Sequence, residues 1–147
     1  MNILIKKALI IDTNSKHHNK TRDILIKNGK IQEIKKNIKD TPKYKTFKAN
    51  NLHISPGWFD LHVNFGEPGN EQKETLESGA NSAAAGGFTG VMTMPNTSPK
   101  IDNKSMVEYI KSASKNHIVE IIPSGNITKN GDGNELVEMH DMKNAGC

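Results

Sequence analysis

Cysteine, arginine and aromatic residues are scarce in this 147-residue sequence. The single cysteine, Cys147, excludes an internal disulfide and any zinc cluster built on cysteine, so a metal would have to be held by His, Asp or Glu. Arginine occurs once, at Arg22, and aromatic residues make up 5% of the chain. Proteins that bind single-stranded nucleic acid stack bases on aromatic side chains beside cations, so this scarcity argues against a nucleic-acid partner.

Long apolar runs are also missing. No stretch approaches the roughly 18 apolar residues that a membrane span needs, so we expect no membrane partner. The opening MNILIKKALIID lacks the longer apolar segment and the small-residue cleavage site of a signal peptide. We therefore expect a cytoplasmic protein.

The formal net charge of +4 is unevenly distributed. Residues 1–50 hold 13 Lys and Arg against 4 Asp and Glu, whereas residues 51–147 hold 7 against 12. The lysines of the first part are dispersed, which is typical of solvated strand surfaces and edges. This shift in composition predicts a boundary between a small β-domain, residues 1–55, and a second part, residues 56–147.

The first part carries strand signals. Two runs that alternate apolar and polar residues flank Asn28-Gly29, and this dipeptide favours a type I′ hairpin turn because both of its residues tolerate positive φ. His17 and His18 lie in the polar segment TNSKHHNKTR. Adjacent histidines do not have chelating spacing, so we interpret both as loop residues rather than metal ligands.

The second part alternates strand and helix patterns, which predicts about three right-handed parallel βαβ units of an α/β fold. The predicted strands are WFDLHV, FTGVMTM and HIVEIIP. The predicted helices are KETLESGANSAAA, ending at Gly86-Gly87, SMVEYIKSASK, and NELVEMHDMKNAG, ending at Gly146. Ser105 and Glu108 have the spacing of a capping box for the second helix.

The segment WFDLHVN ends the first of these strands with a polar trio. Residues i, i+2 and i+4 of a strand share a face, so Asp60, His62 and Asn64 are expected to project together near the carboxyl end of the strand, where α/β proteins bind ligands. His62 is a candidate metal ligand with Asp60 as its orienting carboxylate, whereas the amide oxygen of Asn64 is a poor zinc ligand. From these residues alone, a packed or hydrogen-bonded His62 is the favoured alternative.

The sequence SPGWFDLHVNFGEPGNEQKETLESGANSAAAGGFTGVMTMPNTSPKID, residues 55–102, resembles the N-terminal part of a dihydroorotase of the long, aspartate-transcarbamoylase-associated type, in the amidohydrolase superfamily. The family pattern is approximately Pro-Gly-x-x-Asp-x-His-x-His-x-Arg-x-Pro-Gly, followed by Lys-Glu, an Ala-rich helix and Met-Pro-Asn-Thr. A looser similarity continues through residues 125–146. Met94–Thr97 and Lys73–Thr75 favour dihydroorotase over allantoinase and hydantoinase.

This resemblance implies the N-terminal part of a (β/α)8 amidohydrolase barrel, preceded by a small β-domain, with one or two zinc ions at the mouth of the barrel. Such enzymes reversibly hydrolyse dihydroorotate to N-carbamoyl-L-aspartate in pyrimidine biosynthesis. By resemblance His62 is a metal ligand and Asn96 binds the substrate, although Asn96 also fits a turn residue after Pro95. Asn64 stands where the second metal-binding histidine is expected, and Gly66 stands where the carboxylate-binding arginine is expected.

A complete barrel needs about 250 residues, so we expect the sequence to be a fragment of a longer protein. Asn64 and the missing later ligands argue against zinc binding by this chain, and we predict it to be inactive by itself. Two functions remain open. One is a cyclic amide hydrolase acting on a small-molecule substrate; the other is a non-catalytic dihydroorotase-like subunit that supports aspartate transcarbamoylase, another partner or a homo-oligomer.

Overall fold

The computed structural model describes residues 2–147, which divide into one unit ending at Pro56 and another beginning at Gly57. The first unit is a five-stranded sheet of β1 (Asn2–Ile10), β2 (Thr21–Lys27), β3 (Lys30–Lys35), β4 (Lys45–Lys48) and β5 (His53–Ile54). The strand order is β3-β2-β1-β4, and β5 also pairs with β1. β1 is antiparallel to β2 and parallel to β4 and β5.

The turn between β2 and β3 is the predicted hairpin. Asn28 and Gly29 have φ values of 51° and 74°, the positive values at both central positions that a type I′ turn requires. β2 and β3 pair antiparallel, with Lys27 opposite Lys30. The prediction from the Asn-Gly dipeptide is therefore confirmed.

A buried carboxylate stabilises an irregularity in β1. The pairing of β1 with β2 shifts between Ile5 and Ala8, and Lys7 adopts a φ of 53°. Asp23 of β2 is 1% exposed and accepts hydrogen bonds from the backbone N–H groups of Lys7, at 2.9 Å, and Ile38, at 2.8 Å. The ammonium of Lys6 also donates to it and forms an ion pair with it.

The second unit begins with three parallel strands separated by helices. Its strands are β6 (Trp58–Val63), β7 (Phe88–Thr93) and β8 (Glu120–Pro123), and its helices are α1 (Leu76–Ala85), α2 (Lys104–Ala113) and α3 (Met139–Ala145). A 3-10 turn, Lys129–Gly131, precedes α3. The sheet order β6-β7-β8, with parallel pairing throughout, is the one that successive βα units produce.

The core of the second unit lies between this sheet and its helices. Val91 and Ile121 are the buried strand residues, and Ala80, Val107, Ile110 and Met142 cover them from the three helices. Each of these six side chains is at most 2% exposed, so the strands and the helices form one tightly packed core.

Three predicted helix starts are wrong. α1 begins at Leu76 rather than at Lys73, because Thr75 is its N-cap residue and accepts from the N–H of Ser78. α2 is capped by Asn103, whose side-chain oxygen accepts from the N–H of Met106 at 3.1 Å, so the predicted capping box of Ser105 and Glu108 does not form. α3 begins later than predicted because the N–H of Val137 donates to the carbonyl of Ile127 and the chain there is extended rather than helical. None of the helices within residues 2–147 combines the length and apolarity required to cross a membrane.

Candidate functional site

An open cavity of about 380 Å³ lies where the carboxyl ends of the three parallel strands meet. It is lined by residues from the end of β6, from the segments after β7 and β8, and from the 3-10 turn: His62, Asn64, Met94, Pro95, Asn96, Lys100, Asn126, Asn130 and Gly131. We call this the carboxyl-edge cavity. Four of its nine lining residues are asparagines and its one permanently charged side chain is that of Lys100, so it offers mainly neutral hydrogen-bonding groups and one cation.

His62 and Asn64 line the cavity as predicted, but Asp60 does not. The pairing register between β6 and β7 is irregular between Asp60 and Val63, so the alternation of side chains along β6 is interrupted. The carboxylate of Asp60 accepts from the backbone N–H of His62 at 2.9 Å and contributes to a different cavity. Asp60 shares that neighbouring cavity with Asn64 but does not line the carboxyl-edge cavity, and its carboxylate supports the backbone of β6.

The structure joins the two asparagines that the sequence singled out. The side-chain amide of Asn96 donates to the side-chain oxygen of Asn64 at 2.7 Å. The two chain segments are also joined through their backbones, because the N–H of Met94 donates to the carbonyl of Val63 at 2.9 Å. Asn96 is therefore both a residue of the turn after Pro95 and part of the cavity wall.

Gly66 occupies a tightly packed loop. Its N–H donates to the carbonyl of Glu74 at 3.1 Å, and its own carbonyl accepts from the N–H of Asn70 at 2.8 Å. A Cβ added at residue 66 would overlap the carbonyl oxygen of Asn70. The loop in this conformation has no room for any side chain at the position where the family pattern has an arginine.

The carboxylate of Glu67 ties this loop to both following helices. It accepts from the N–H of Leu76, the first residue of α1, and from the hydroxyl of Tyr109 in α2, each at 2.8 Å. The hydrogen bond to Glu67, together with burial and the negative charge of the carboxylate, raises the pKa of Tyr109. The loop that follows β6 is thus fixed by bonds to both helices.

The opposite wall includes Lys100, from the segment after β7, and Asn126 and Asn130, from the segment after β8, and sequence reasoning missed these three residues. The N–H of Asn126 donates to the carbonyl of Ile101 at 2.7 Å, and the N–H of Asn130 donates to the carboxylate of Asp102 at 2.8 Å. These bonds bring Asn126 and Asn130 to the cavity beside Lys100. The available signal was the position of Lys100 after the second parallel strand and of Asn126 and Asn130 after the third, where ligand-binding residues concentrate.

The donors at this site do not fit the zinc ions that the resemblance implies. His62 is the one imidazole that lines the cavity, and the oxygen of Asn64 already accepts from Asn96. Across residues 2–147, no three His, Cys, Asp or Glu side chains are grouped so that they could hold a metal. A protein zinc site needs three or four such ligands, so further ligands would have to come from outside this part of the chain.

A family profile described as Dihydro-orotase-like matches residues 52–147, nearly two thirds of the chain. The chain belongs to the dihydro-orotase-like family. This confirms the family resemblance of the segment that contains His62 and Asn96.

Dihydroorotase-like sequences of full length are similar to the whole of this chain. The dihydroorotase of Aquifex aeolicus is 40% identical and that of Geobacter sulfurreducens is 42% identical, each over 100% of this chain and 35% of the relative. The dihydroorotase of Clostridioides difficile is 42% identical over 98% of this chain and 34% of the relative. The chain therefore spans about a third of the length of these dihydroorotases.

Solved structures confirm the fold class. The L-hydantoinase of Arthrobacter aurescens superposes with a TM-score of 0.68 at 22% identity, over 86% of this dihydro-orotase-like chain and 28% of the hydantoinase. A dihydroorotase superposes with a TM-score of 0.65 at 16% identity, over 98% and 38%. The predicted class, the first βα units of an amidohydrolase barrel after a small β-domain, is therefore confirmed.

Proposed function

We propose that this chain forms the substrate-binding edge of a cyclic amide hydrolase that interconverts dihydroorotate and N-carbamoyl-L-aspartate in pyrimidine biosynthesis. The observation that carries the proposal is the hydrogen bond of 2.7 Å between Asn96 and Asn64 in the wall of the carboxyl-edge cavity. Asn96, which matches the family's substrate-binding asparagine, and His62, which matches a metal ligand, also line this one cavity, and this supports the proposal. The names and identities of the relatives support the reaction class.

The residues of this chain position substrate rather than perform the hydrolysis. Asn96 and Asn64 offer amide groups that can orient a carbonyl or carboxylate, and His62 offers one imidazole nitrogen. None of them forms a complete metal site, so no hydrolytic step is assigned to residues 2–147. We propose that the 147-residue chain is inactive alone and that zinc, if the full-length protein uses it, is held mainly by residues outside this chain.

The test is a cyclisation assay on the protein at its full natural length, with N-carbamoyl-L-aspartate as substrate and zinc content measured in parallel. We expect turnover with metal bound, and about a tenfold or greater rise in KM for Asn96→Ala, because a polar contact to a charged ligand is lost. Asn81→Ala is the matched control, since Asn81 is exposed on α1 and does not line the cavity.

Two results would count against this proposal. Absence of both bound metal and turnover in the full-length protein would exclude the hydrolase. An unchanged KM in Asn96→Ala, in an enzyme that is otherwise active, would show that substrate does not bind at the carboxyl-edge cavity.

A non-catalytic subunit is the second candidate, favoured by the amide at Asn64 and by the packed loop at Gly66, which together lack a ligand and a carboxylate-binding cation. Such a subunit would support aspartate transcarbamoylase, another partner or a homo-oligomer. Co-purification with aspartate transcarbamoylase from the native source, followed by gel filtration, tests it. Elution of the full-length protein as a free monomer in that experiment would contradict the scaffold.

A further inference from the structure

We propose that Lys100 is the residue of the carboxyl-edge cavity that binds a carboxylate of the ligand, in place of the arginine that Gly66 cannot provide. This inference rests on the proposed function, because it names the group that anchors the acidic end of that substrate. The resemblance assigned no role to Lys100, which lies three residues after the MPNT segment in SPKID.

The charge inside the cavity supports this role. Lys100 is half-buried and lines the cavity, and no Asp or Glu is among the lining residues. Within residues 2–147, the carboxylates that form ion pairs do so with lysines other than Lys100. The nearby carboxylate of Asp102 accepts from the N–H of Asn130 and from the side-chain amide of Asn103, and it forms no ion pair with Lys100. An ammonium group in a partly enclosed site that no carboxylate pairs with attracts anionic ligands.

The hydrogen-bonding groups around Lys100 also favour an acceptor ligand. The side-chain nitrogen of Asn126 is buried and has no hydrogen-bond acceptor within residues 2–147. The oxygen of Asn64 is already occupied by Asn96, so the amide nitrogen of Asn64 remains as a donor. A ligand that brings acceptor oxygens and negative charge satisfies Lys100 and these amides together, and a carboxylate has both properties.

The backbone places Lys100 and Asn126 next to each other from distant parts of the sequence. The N–H of Asp102 donates to the carbonyl of Lys100 at 3.1 Å, and the N–H of Asn126 donates to the carbonyl of Ile101 at 2.7 Å. The segment after β7 and the segment after β8 are thus bonded to each other at this wall. Lys100 therefore projects from an ordered segment rather than from a free loop.

Succinate is a suitable probe, because it carries two carboxylates but has no amide that could react. Its binding to the protein at full natural length is measured by equilibrium dialysis, with succinamide as the uncharged control. We expect Lys100→Met to weaken succinate binding by about tenfold or more, since a charge-assisted hydrogen bond is lost. Lys100→Arg keeps the charge and the ability to donate to a carboxylate, so it should bind within about threefold of the wild type.

Lys104→Met is the matched control, because Lys104 is exposed, pairs with Glu108 and does not line the cavity. Thermal unfolding of each variant verifies that the fold is retained. Inorganic phosphate is added as a competitor, and we expect it to displace succinate only weakly. Succinate binding that is absent in the wild type, unchanged in Lys100→Met, or abolished by equimolar phosphate would overturn the assignment of a carboxylate to Lys100.

The KM of the full-length enzyme separates this inference from the proposed function. An active enzyme with unchanged succinate affinity and KM in Lys100→Met would refute the role of Lys100 and leave the hydrolase standing. Succinate binding that depends on Lys100, in a protein without turnover, would support the carboxylate site and refute the hydrolase.

Discussion

The amide at Asn64 determines what the end of β6 can do. An imidazole at this position would present a nitrogen lone pair to a metal, whereas the Asn64 oxygen accepts from Asn96 and the nitrogen can only donate. A metal-ligand position thus becomes a hydrogen-bond donor position. This single change favours the recognition of acceptor oxygens in the carboxyl-edge cavity over metal coordination by β6.

Asp23 should make the stability of the protein depend on pH. Burial raises the cost of its charge, but hydrogen bonds from Lys6 and from the N–H groups of Ile38 and Lys7, with the positive charge of Lys6, outweigh that cost and lower its pKa. A carboxyl group whose pKa is lower in the folded state stabilises the fold above its unfolded pKa of about 3.9 and loses this contribution as the pH falls through its folded pKa.

Asp23→Asn should therefore lower the free energy of unfolding by about 2 kcal/mol at neutral pH, because hydrogen bonds to a charged group are lost. The difference from the wild type should shrink as the pH falls below about 4. Urea unfolding followed by circular dichroism at several pH values measures both effects. Asp40→Asn, at an exposed carboxylate bonded to Thr46, is the control and should change stability by less than about 0.5 kcal/mol. A constant difference across this pH range would contradict the assignment.

Among the elements, those with strong local signals were predictable from the sequence. The Asn28-Gly29 hairpin was predictable, because both residues tolerate the positive φ that its turn requires. The cap of α2 was not, because Asn103 and Ser105 are both good capping residues and only the hydrogen bond to Met106 distinguishes them. The start of α3 was also missed, since the pairing of Leu136 with Thr128 overrides its helical pattern.

The candidate site was predictable where the alternation of one strand or the Met94–Thr97 motif carries it, and this includes Asn96. His62 and Asn64 follow from the alternation of β6, whereas Asp60 lines only the neighbouring cavity and the pairing of β6 with β7 is irregular after it. Lys100 and Asn126 are 26 positions apart in the numbering and meet through backbone bonds between two loops. No periodic pattern in the sequence predicts that Lys100 and Asn126 lie close together, so the tertiary structure was needed to find this wall of the carboxyl-edge cavity.

The loop after β6 should resist substitution at Gly66. Gly66→Ala should destabilise the chain by about 1–3 kcal/mol, because the new Cβ overlaps the Asn70 carbonyl and the loop must shift. Gly66→Arg, which restores the arginine of the family pattern, should destabilise the chain by at least as much as Gly66→Ala. Asn64→His without a change at Gly66 is therefore the better variant for restoring a metal ligand. Equilibrium urea unfolding of the alanine variant measures the effect.

Gly86→Ala is the matched control for that experiment. Gly86 caps α1 with a φ of −79°, and an added Cβ there would approach the Phe88 ring no closer than 3.3 Å. Its change in stability should be within about 0.5 kcal/mol of zero, since alanine tolerates this backbone conformation. Equal losses in both variants would mean that the Gly66 loop has room for a side chain.

On the scale of the whole molecule, β6 exposes a cluster of apolar side chains. Trp58, Phe59 and Leu61 are 59%, 44% and 67% exposed, and within residues 2–147 the strand pairs only with β7. Parallel sheets are normally covered on both faces, and an unpaired apolar edge strand promotes pairing with another chain. The chain spans about 35% of the length of the dihydroorotase of Aquifex aeolicus. Since its β6 edge is apolar and exposed, we expect the 147-residue chain to self-associate through β6.

Leu61→Lys should reduce that self-association, because a charged side chain on an edge strand opposes strand pairing between molecules. Sedimentation velocity across a concentration series compares the average mass of this variant with that of the wild type. Ile118→Lys is the control, since Ile118 is 83% exposed but lies in a loop outside the strands. An equal fall in mass for both variants would attribute the effect to added charge in general, and a wild-type chain that stays monomeric throughout would show that the β6 edge does not drive association.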